Sequence, residues 1–215
     1  GIPSFFISHG SYVTPKDDLE RTEWGELGKM QMRAPFSHLA LQTPAAEGYL
    51  AAFPSSAFVI KTGPLIWGLP VKPKKESKLF HSMFGSTKSP KDTKVIVYAG
   101  TFKTTRTLRP YVFETPDEFI QSPRDLAETV ERIPDTVLVI KFRPWVEVSV
   151  DDVRALVPFS DKVILSVNES FADILGMADL FVSFSSTTIE EALQNRIPVL
   201  LYGGRGRYQH ISACE

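Results

Sequence analysis

A parallel β-sheet covered by helices on both faces is the α/β fold class that this sequence predicts, and three observations predict it. From Lys94 onward, strand-like and helix-like segments alternate along the chain. The strand-like runs there are nearly all apolar, as strands buried on both faces are, instead of alternating apolar with polar. The length of 215 residues, with 43% hydrophobic and 23% charged, is enough for one large or two small domains with a buried core. The charge balance of 24 Lys+Arg against 25 Asp+Glu gives no global attraction to nucleic acid, so any anion must be met by a local site. No apolar run approaches the ~18 residues of a membrane-spanning helix. The single Cys214 cannot pair within the chain, which is compatible with a reducing compartment, and a cytoplasmic location is expected.

Taken in order, β-branched and aromatic runs bounded by turn residues predict strands over 4–8, 38–42, 57–61, 94–99, 136–142, 162–166, 180–184 and 198–202. Spacing of apolar residues predicts helices over 44–53, 123–133, 150–156, 171–177 and 188–195, with no helix assigned between the first two strands. Ser122 before Pro123 reads as the N-cap of the second of these helices. Asn195 reads as the left-handed residue that ends the last one, with Pro198 blocking its continuation. Between the two groups of elements, residues 71–94 carry seven Lys and two acidic residues without sustained periodicity, so 71–93 reads as a basic linker and loop. That stretch is either a solvated connector or a patch for anionic lipid, in peripheral contact at the inner face of a membrane, or for a charged carrier substrate. Residues 101–121 read as a second long loop.

The segment richest in chemistry is Ser185-Ser186-Thr187-Thr188, delivered by an apolar strand to the start of a helix. Hydroxyls and unpaired backbone N–H groups there favour an anion and can wrap a diphosphate without metal, although Ser and Thr at a helix start also serve simply as caps. Glu191, one turn inside the helix, can reach a ribose beside the phosphate, while Glu190 lies about 100° around and is expected to face solvent. No Cys/His spacing for zinc and no Asp-x-Asp cluster is present, so metal independence is expected.

The pattern of strand, Ser/Thr loop, helix with Glu191, and a closing Pro198-Val199-Leu200-Leu201 strand resembles the donor-binding half of GT-B glycosyltransferases and the related UDP-GlcNAc 2-epimerases. Phe58-Val59-Ile60-Lys61-Thr62-Gly63-Pro64, His38-Leu39-Ala40-Leu41-Gln42-Thr43-Pro44, Ile7-Ser8-His9-Gly10 and Val97-Tyr98-Ala99-Gly100-Thr101 extend the resemblance in order along the chain. Arg196 stands where the pattern usually has Gly, a departure at the helix end.

The resemblance implies two Rossmann-like parts. Residues 1–70 would close an acceptor-side domain, residues 71–93 would link, and residues 94–215 would bind the nucleotide-sugar donor. On this reading roughly the first half of the enzyme precedes Gly1, a terminal helix follows Glu215, and the 215 residues alone are inactive or nearly so. It implies diphosphate contacts from Ser185, Ser186, Thr187, Thr188, Gly100 and Thr101, and ribose binding by Glu191. His9 would be the ionisable group facing the cleft, as general base or as a cation steadying the leaving phosphate. Lys103, Arg106, Arg143, Arg205 and Arg207 are further candidates for phosphate or sugar, and residues 167–170 would meet the nucleobase mainly through backbone groups. No cofactor is implied beyond a nucleotide-sugar co-substrate, UDP-sugar first, with a glycan or lipid-linked acceptor in bacterial surface polysaccharide synthesis. An epimerase, a polyol-phosphate transferase or a non-catalytic nucleotide-sugar-binding module would share the same nucleotide site.

Overall fold

The computed structural model describes residues 2–8, 12, 18–63, 70–100, 114–144 and 148–203, the side chains of Leu19, Glu20 and Glu23 excepted. The chain divides into two compact units, Gly1–Gly68 and Leu69–Glu215. Among the described residues no helix is long and apolar enough to cross a membrane.

The first unit runs β1 (Phe5–Ile7), α1 (Asp18–Met32), β2 (His38–Leu41), α2 (Pro44–Ala52) and β3 (Phe58–Lys61), with the three strands parallel in the order β1-β2-β3. Leu39 and Leu41 of β2 are buried, as are Trp24 and Met32 of α1 and Ala46 and Tyr49 of α2. On β1 and β3, by contrast, Phe5, Ile7 and Phe58 remain 60%, 48% and 68% exposed, so the sheet is covered unevenly. The His38 ring lies between Phe5 (4.4 Å, stacked) and Phe58 (5.8 Å, edge-on), a packing role at the start of a strand. Helix α1 was not predicted, because Gly25 and Gly28 interrupt its periodicity. Packing explains the second glycine: a Cβ on Gly28 would sit 2.2 Å from the Tyr49 ring of α2.

The second unit begins with a 3-10 turn (Lys74–Glu76) and α3 (Lys78–Phe84). It continues through β4 (Lys94–Ala99), α4 (Pro116–Glu131), β5 (Thr136–Lys141), α5 (Val150–Leu156), β6 (Val163–Ser166), α6 (Phe171–Leu175), β7 (Leu180–Ser183), α7 (Thr188–Gln194) and β8 (Val199–Leu201). All five strands are parallel, in the order β6-β5-β4-β7-β8. Successive strand residues feed opposite cores. Val95, Val97, Val139 and Phe181 pack with Phe80, Phe84, Ile174, Leu175, Ile189 and Ala192. Tyr98, Leu138, Ile140 and Val182 pack on the other face with Phe119, Ala127, Val130 and Val153. Burial on both faces explains why these strands read as continuous apolar runs, and each large side chain so buried contributes about 1.5–3 kcal/mol.

Three local expectations are corrected. The 71–93 stretch is not merely a linker: α3 lies within it and sends Phe80 and Phe84 into the core, with Ser77 Oγ accepting from the Phe80 N–H at 3.3 Å. Helix α4 starts at Pro116, not at Pro123. Thr115 and Glu118 form a reciprocal capping box, the Thr115 hydroxyl accepting from the Glu118 N–H at 3.3 Å and the Glu118 carboxylate from the Thr115 N–H at 3.0 Å. With Pro116 in the first turn, that box outcompetes the start at Ser122, and the helix tolerates Pro123 in its interior, a residue that costs about 3 kcal/mol there. The left-handed residue after α7 is Arg196 (φ 59°), not Asn195. Asn195 is held instead by its amide, which donates to Glu191 O at 2.8 Å and accepts from the Val71 N–H at 3.0 Å.

Candidate functional site

In the order β6-β5-β4-β7-β8 the chain leaves β4 toward β5 on one side, while β7 and β8 lie on the other. Loops leaving β4 and β7 therefore part, and in open α/β sheets the crevice so formed at the C-terminal strand ends is where ligands bind. Tyr98 is in register with Val182, which brings Gly100 and the residues after Ser183 to neighbouring strand ends. Only glycine fits at position 100: a Cβ there would lie 2.6 Å from Tyr98 Oη and 2.8 Å from the Phe119 ring.

Ser185 is buried, and Ser186, Thr187 and Thr188 are half-buried. Of these four, Ser186 makes a local turn bond, its Oγ accepting from the Thr188 N–H at 3.3 Å, while Thr187 occupies the N-cap position with no side-chain cap bond. The Thr188 hydroxyl is buried without a hydrogen-bond partner, and so is that of Ser183, two residues before Ser185 on β7. A buried unpaired hydroxyl costs about 1–3 kcal/mol, so two of them beside one loop are not the signature of simple capping. By the alternation of a strand, Ser183 shares the face of Phe181, which α7 covers. Sequence reading overlooked Ser183, although that alternation carried the signal. With seven residues, α7 is too short to make its dipole the basis of the site; the hydroxyls and the strand order are the basis.

Glu191 is half-buried, and burial pushes its carboxyl above the usual carboxylate range. Glu190 departs from its expected solvent position: it too is half-buried, with Oε2 sealed from water. Arg143 is exposed beyond the end of β5. His81 packs edge-on against Phe80 in α3. Thr101, Lys103, Arg106, Arg205, Arg207, His9 and His210 lie outside the described residues.

Sequence reading also missed Glu114, fully buried at this same edge. Its carboxylate accepts from Ser122 Oγ at 3.2 Å and faces Tyr98 Oη at 3.5 Å. Burial, and after it the charge of Glu114, holds the Tyr98 hydroxyl well above its ordinary pKa. Gly203 (φ 116°) closes over this group, where a Cβ would meet Glu114 Oε1 at 2.7 Å. No pattern marked Glu114 in the sequence, because its partners are brought in by three separate elements.

The opposite edge is different. A recess of about 340 Å³ lined by Thr87, Lys88, Asp92, Asp135, Thr136 and Lys162 opens there, among the strand starts. Volume alone does not mark the site, since this recess is remote from the diverging loops. Among the described residues no cluster of three or more His, Cys, Asp or Glu suited to a metal is found.

The fold is shared with a known structure. The chain matches a provisionally assigned UDP-N-acetylglucosamine 2-epimerase of Listeria monocytogenes at 18% identity and a TM-score of 0.55, over 86% of this chain and 44% of the other. The fold is Rossmann-like α/β, of the GT-B kind. Weaker GT-B likenesses are to the Anabaena protein HepE in complex with UDP and glucose (13% identity, TM-score 0.46, 83% of this chain and 48% of that one) and to sucrose-phosphate synthase of Thermosynechococcus elongatus (14%, 0.41, 83% and 43%). The chain spans less than half the length of these GT-B structures. No family model and no curated protein matches the sequence.

Proposed function

We propose that this chain supplies the donor-binding part of a nucleotide-sugar-dependent glycosyltransferase that works without a metal. The observation that carries the proposal is the hydroxyl loop at the parting of β4 and β7, flanked by the buried, unpartnered hydroxyls of Ser183 and Thr188. In this reading Ser185, Ser186, Thr187 and Thr188, with Gly100 and Thr101, hold the diphosphate of a UDP-sugar. Glu191 accepts hydrogen bonds from both ribose hydroxyls, and Arg143, Lys103, Arg106, Arg205 and Arg207 are available to phosphate or sugar. The oxygen of an acceptor hydroxyl attacks the anomeric carbon. The bond from that carbon to the diphosphate breaks, and the nucleoside diphosphate leaves with the electron pair. His9 takes the hydroxyl proton. Donors aimed at the leaving oxygens stabilise the charge that develops there. A glycan or lipid-linked acceptor of surface polysaccharide synthesis would bind on the side of residues 1–70.

The test is a thermal-denaturation panel of the chain with UDP, GDP, CDP and CMP. A nucleotide present at a hundred times its Kd stabilises by about 2.7 kcal/mol. Selective stabilisation by a nucleoside diphosphate supports the reading, and no shift with any nucleotide rejects it. Isotope scrambling of the sugar nucleotide by the full-length enzyme without an acceptor would replace transfer with epimerisation.

A further inference from the structure

The proposed transfer makes no use of Glu114, the carboxylate just ahead of α4. Of the charged side chains among the described residues it alone is fully buried. Stability does not account for it, because an apolar side chain of similar volume serves a core as well as a buried charge does, or better. Its surroundings are the ends of three neighbouring strands. On one side Tyr98, near the end of β4, faces Oε2 at 3.5 Å, and a Cβ on Gly100 would strike that same Tyr98 Oη at 2.6 Å. On the other side Ser122 Oγ donates to Oε1 at 3.2 Å. Gly203, two residues past β8, lies so close that a Cβ there would meet Oε1 at 2.7 Å, Ser122 Oγ at 2.9 Å and the Cβ of Phe184 at 3.3 Å. Phe184 directly precedes the Ser185–Thr188 loop, and the Tyr202 N–H donates to Ser183 O at 3.0 Å, tying the ends of β7 and β8 together. The turns after β4 and β8 thus abut one small polar group, and each is glycine where it does so.

A ligand held by hydroxyls and backbone N–H groups needs those donors in fixed places, and directional polar contacts beneath a turn fix it more closely than apolar packing does. We infer that Glu114 is a positioning residue for the nucleotide site: with Tyr98 and Ser122 it forms a seat that fixes the Gly100 turn relative to the Gly203 turn and the hydroxyl loop. Glu114 acts through these turns and touches neither sugar nor phosphate. Burial and its own charge keep the Tyr98 hydroxyl protonated, and so a donor. The inference rests on the nucleotide-binding reading above and adds to it the group that holds the site in shape.

The experiment is calorimetric titration with UDP, GDP and CDP, beside thermal denaturation, of the 215-residue chain and its Glu114→Ala, Glu114→Gln and Tyr98→Phe variants. For the nucleoside diphosphate that the unaltered chain binds, Glu114→Ala should weaken binding by the folded molecules about tenfold and Tyr98→Phe about threefold. Glu114→Gln should restore affinity to within about twofold, because its amide oxygen can accept from the Tyr98 hydroxyl and its amide nitrogen can donate to Ser122 Oγ. A lower melting temperature with unchanged affinity in Glu114→Ala and Tyr98→Phe marks a purely structural role and overturns the inference. So does a glutamine variant that binds as weakly as the alanine one. Where Glu114→Ala fails to fold, Tyr98→Phe, which loses only a hydroxyl, decides by the same comparison of affinity with melting temperature. An unaltered chain that binds no nucleotide rejects the underlying reading itself.

Discussion

At the N-terminal edge of the five-stranded sheet, polar groups are spent on one another. Lys74, with a side chain 16% exposed, pairs closely with Asp179 and donates to Thr93 O at 2.9 Å, while Asp179 also accepts from the Val95 N–H at 2.8 Å. Lys162 donates to Glu131 O at the end of α4 and to Ile133 O just beyond it, both at 3.2 Å. At the C-terminal edge, the Ser183 and Thr188 hydroxyls are left without partners and Glu191 is held half-buried at a cost to its charge. Both edges belong to the same strands and the same cores. The difference teaches that the polar groups are paired with one another where β4 and β7 begin, and that the hydroxyls left over for a ligand lie where β7 ends and α7 starts.

Substitutions can break this contrast or sharpen it. The largest effect is expected from Gly100→Ala, where the new Cβ collides with Tyr98 and Phe119. Overpacking of this kind costs about 3 kcal/mol, read as a lower urea midpoint, and nucleotide affinity should fall with it. Next is Asp179→Ala at the other edge, which strands the Lys74 ammonium and the Val95 N–H and should cost about 2 kcal/mol. In that variant the fraction that remains folded should bind nucleotide with unchanged affinity; a parallel loss of affinity would erase the distinction between the edges.

Glu191→Ala should weaken nucleoside diphosphate binding about tenfold by calorimetry, through loss of charge-assisted hydrogen bonds, with little change in the melting temperature. Unchanged affinity would remove Glu191 from the ribose. Glu191→Gln is a subtler probe. Burial raises the Glu191 carboxyl pKa, so the folded state favours the protonated form, and stability present below the ordinary carboxylate range is lost as pH rises through the raised value. The glutamine variant should therefore melt above the unaltered chain at about pH 8 and together with it at about pH 4. The smallest effect is expected from Ser183→Ala. Removing a buried hydroxyl that has no partner should raise stability by about 1 kcal/mol, whereas loss of a structurally hydrogen-bonded serine would lower it.

The five-stranded sheet was largely legible from sequence because each of its strands serves two cores. Lys94–Ala99 and Val150–Leu156 are found at their expected bounds. Helix α1 was not legible, since a glycine required by the Tyr49 ring looks locally like a breaker. Helix α4 was misread at its start, although the Thr115-Pro116-Asp117-Glu118 capping box was there to be seen. Of the candidate site, the Ser185–Thr188 loop and Glu191 were marked by residue type and spacing. Glu114 was not, because the residues that surround it come from far apart in the chain.

By itself the sequence determined the alternation of elements, the parallel class of the sheet and the hydroxyl-rich turn, all of which depend on side-chain periodicity and local backbone preference. Only the tertiary structure decided the order in which the strands lie, and with it the point where the loops diverge. It also decided which hydroxyls stay unpaired and which carboxylates lose water. Those outcomes depend on what the rest of the chain brings up against each residue, and burial by distant neighbours leaves no local trace in the sequence.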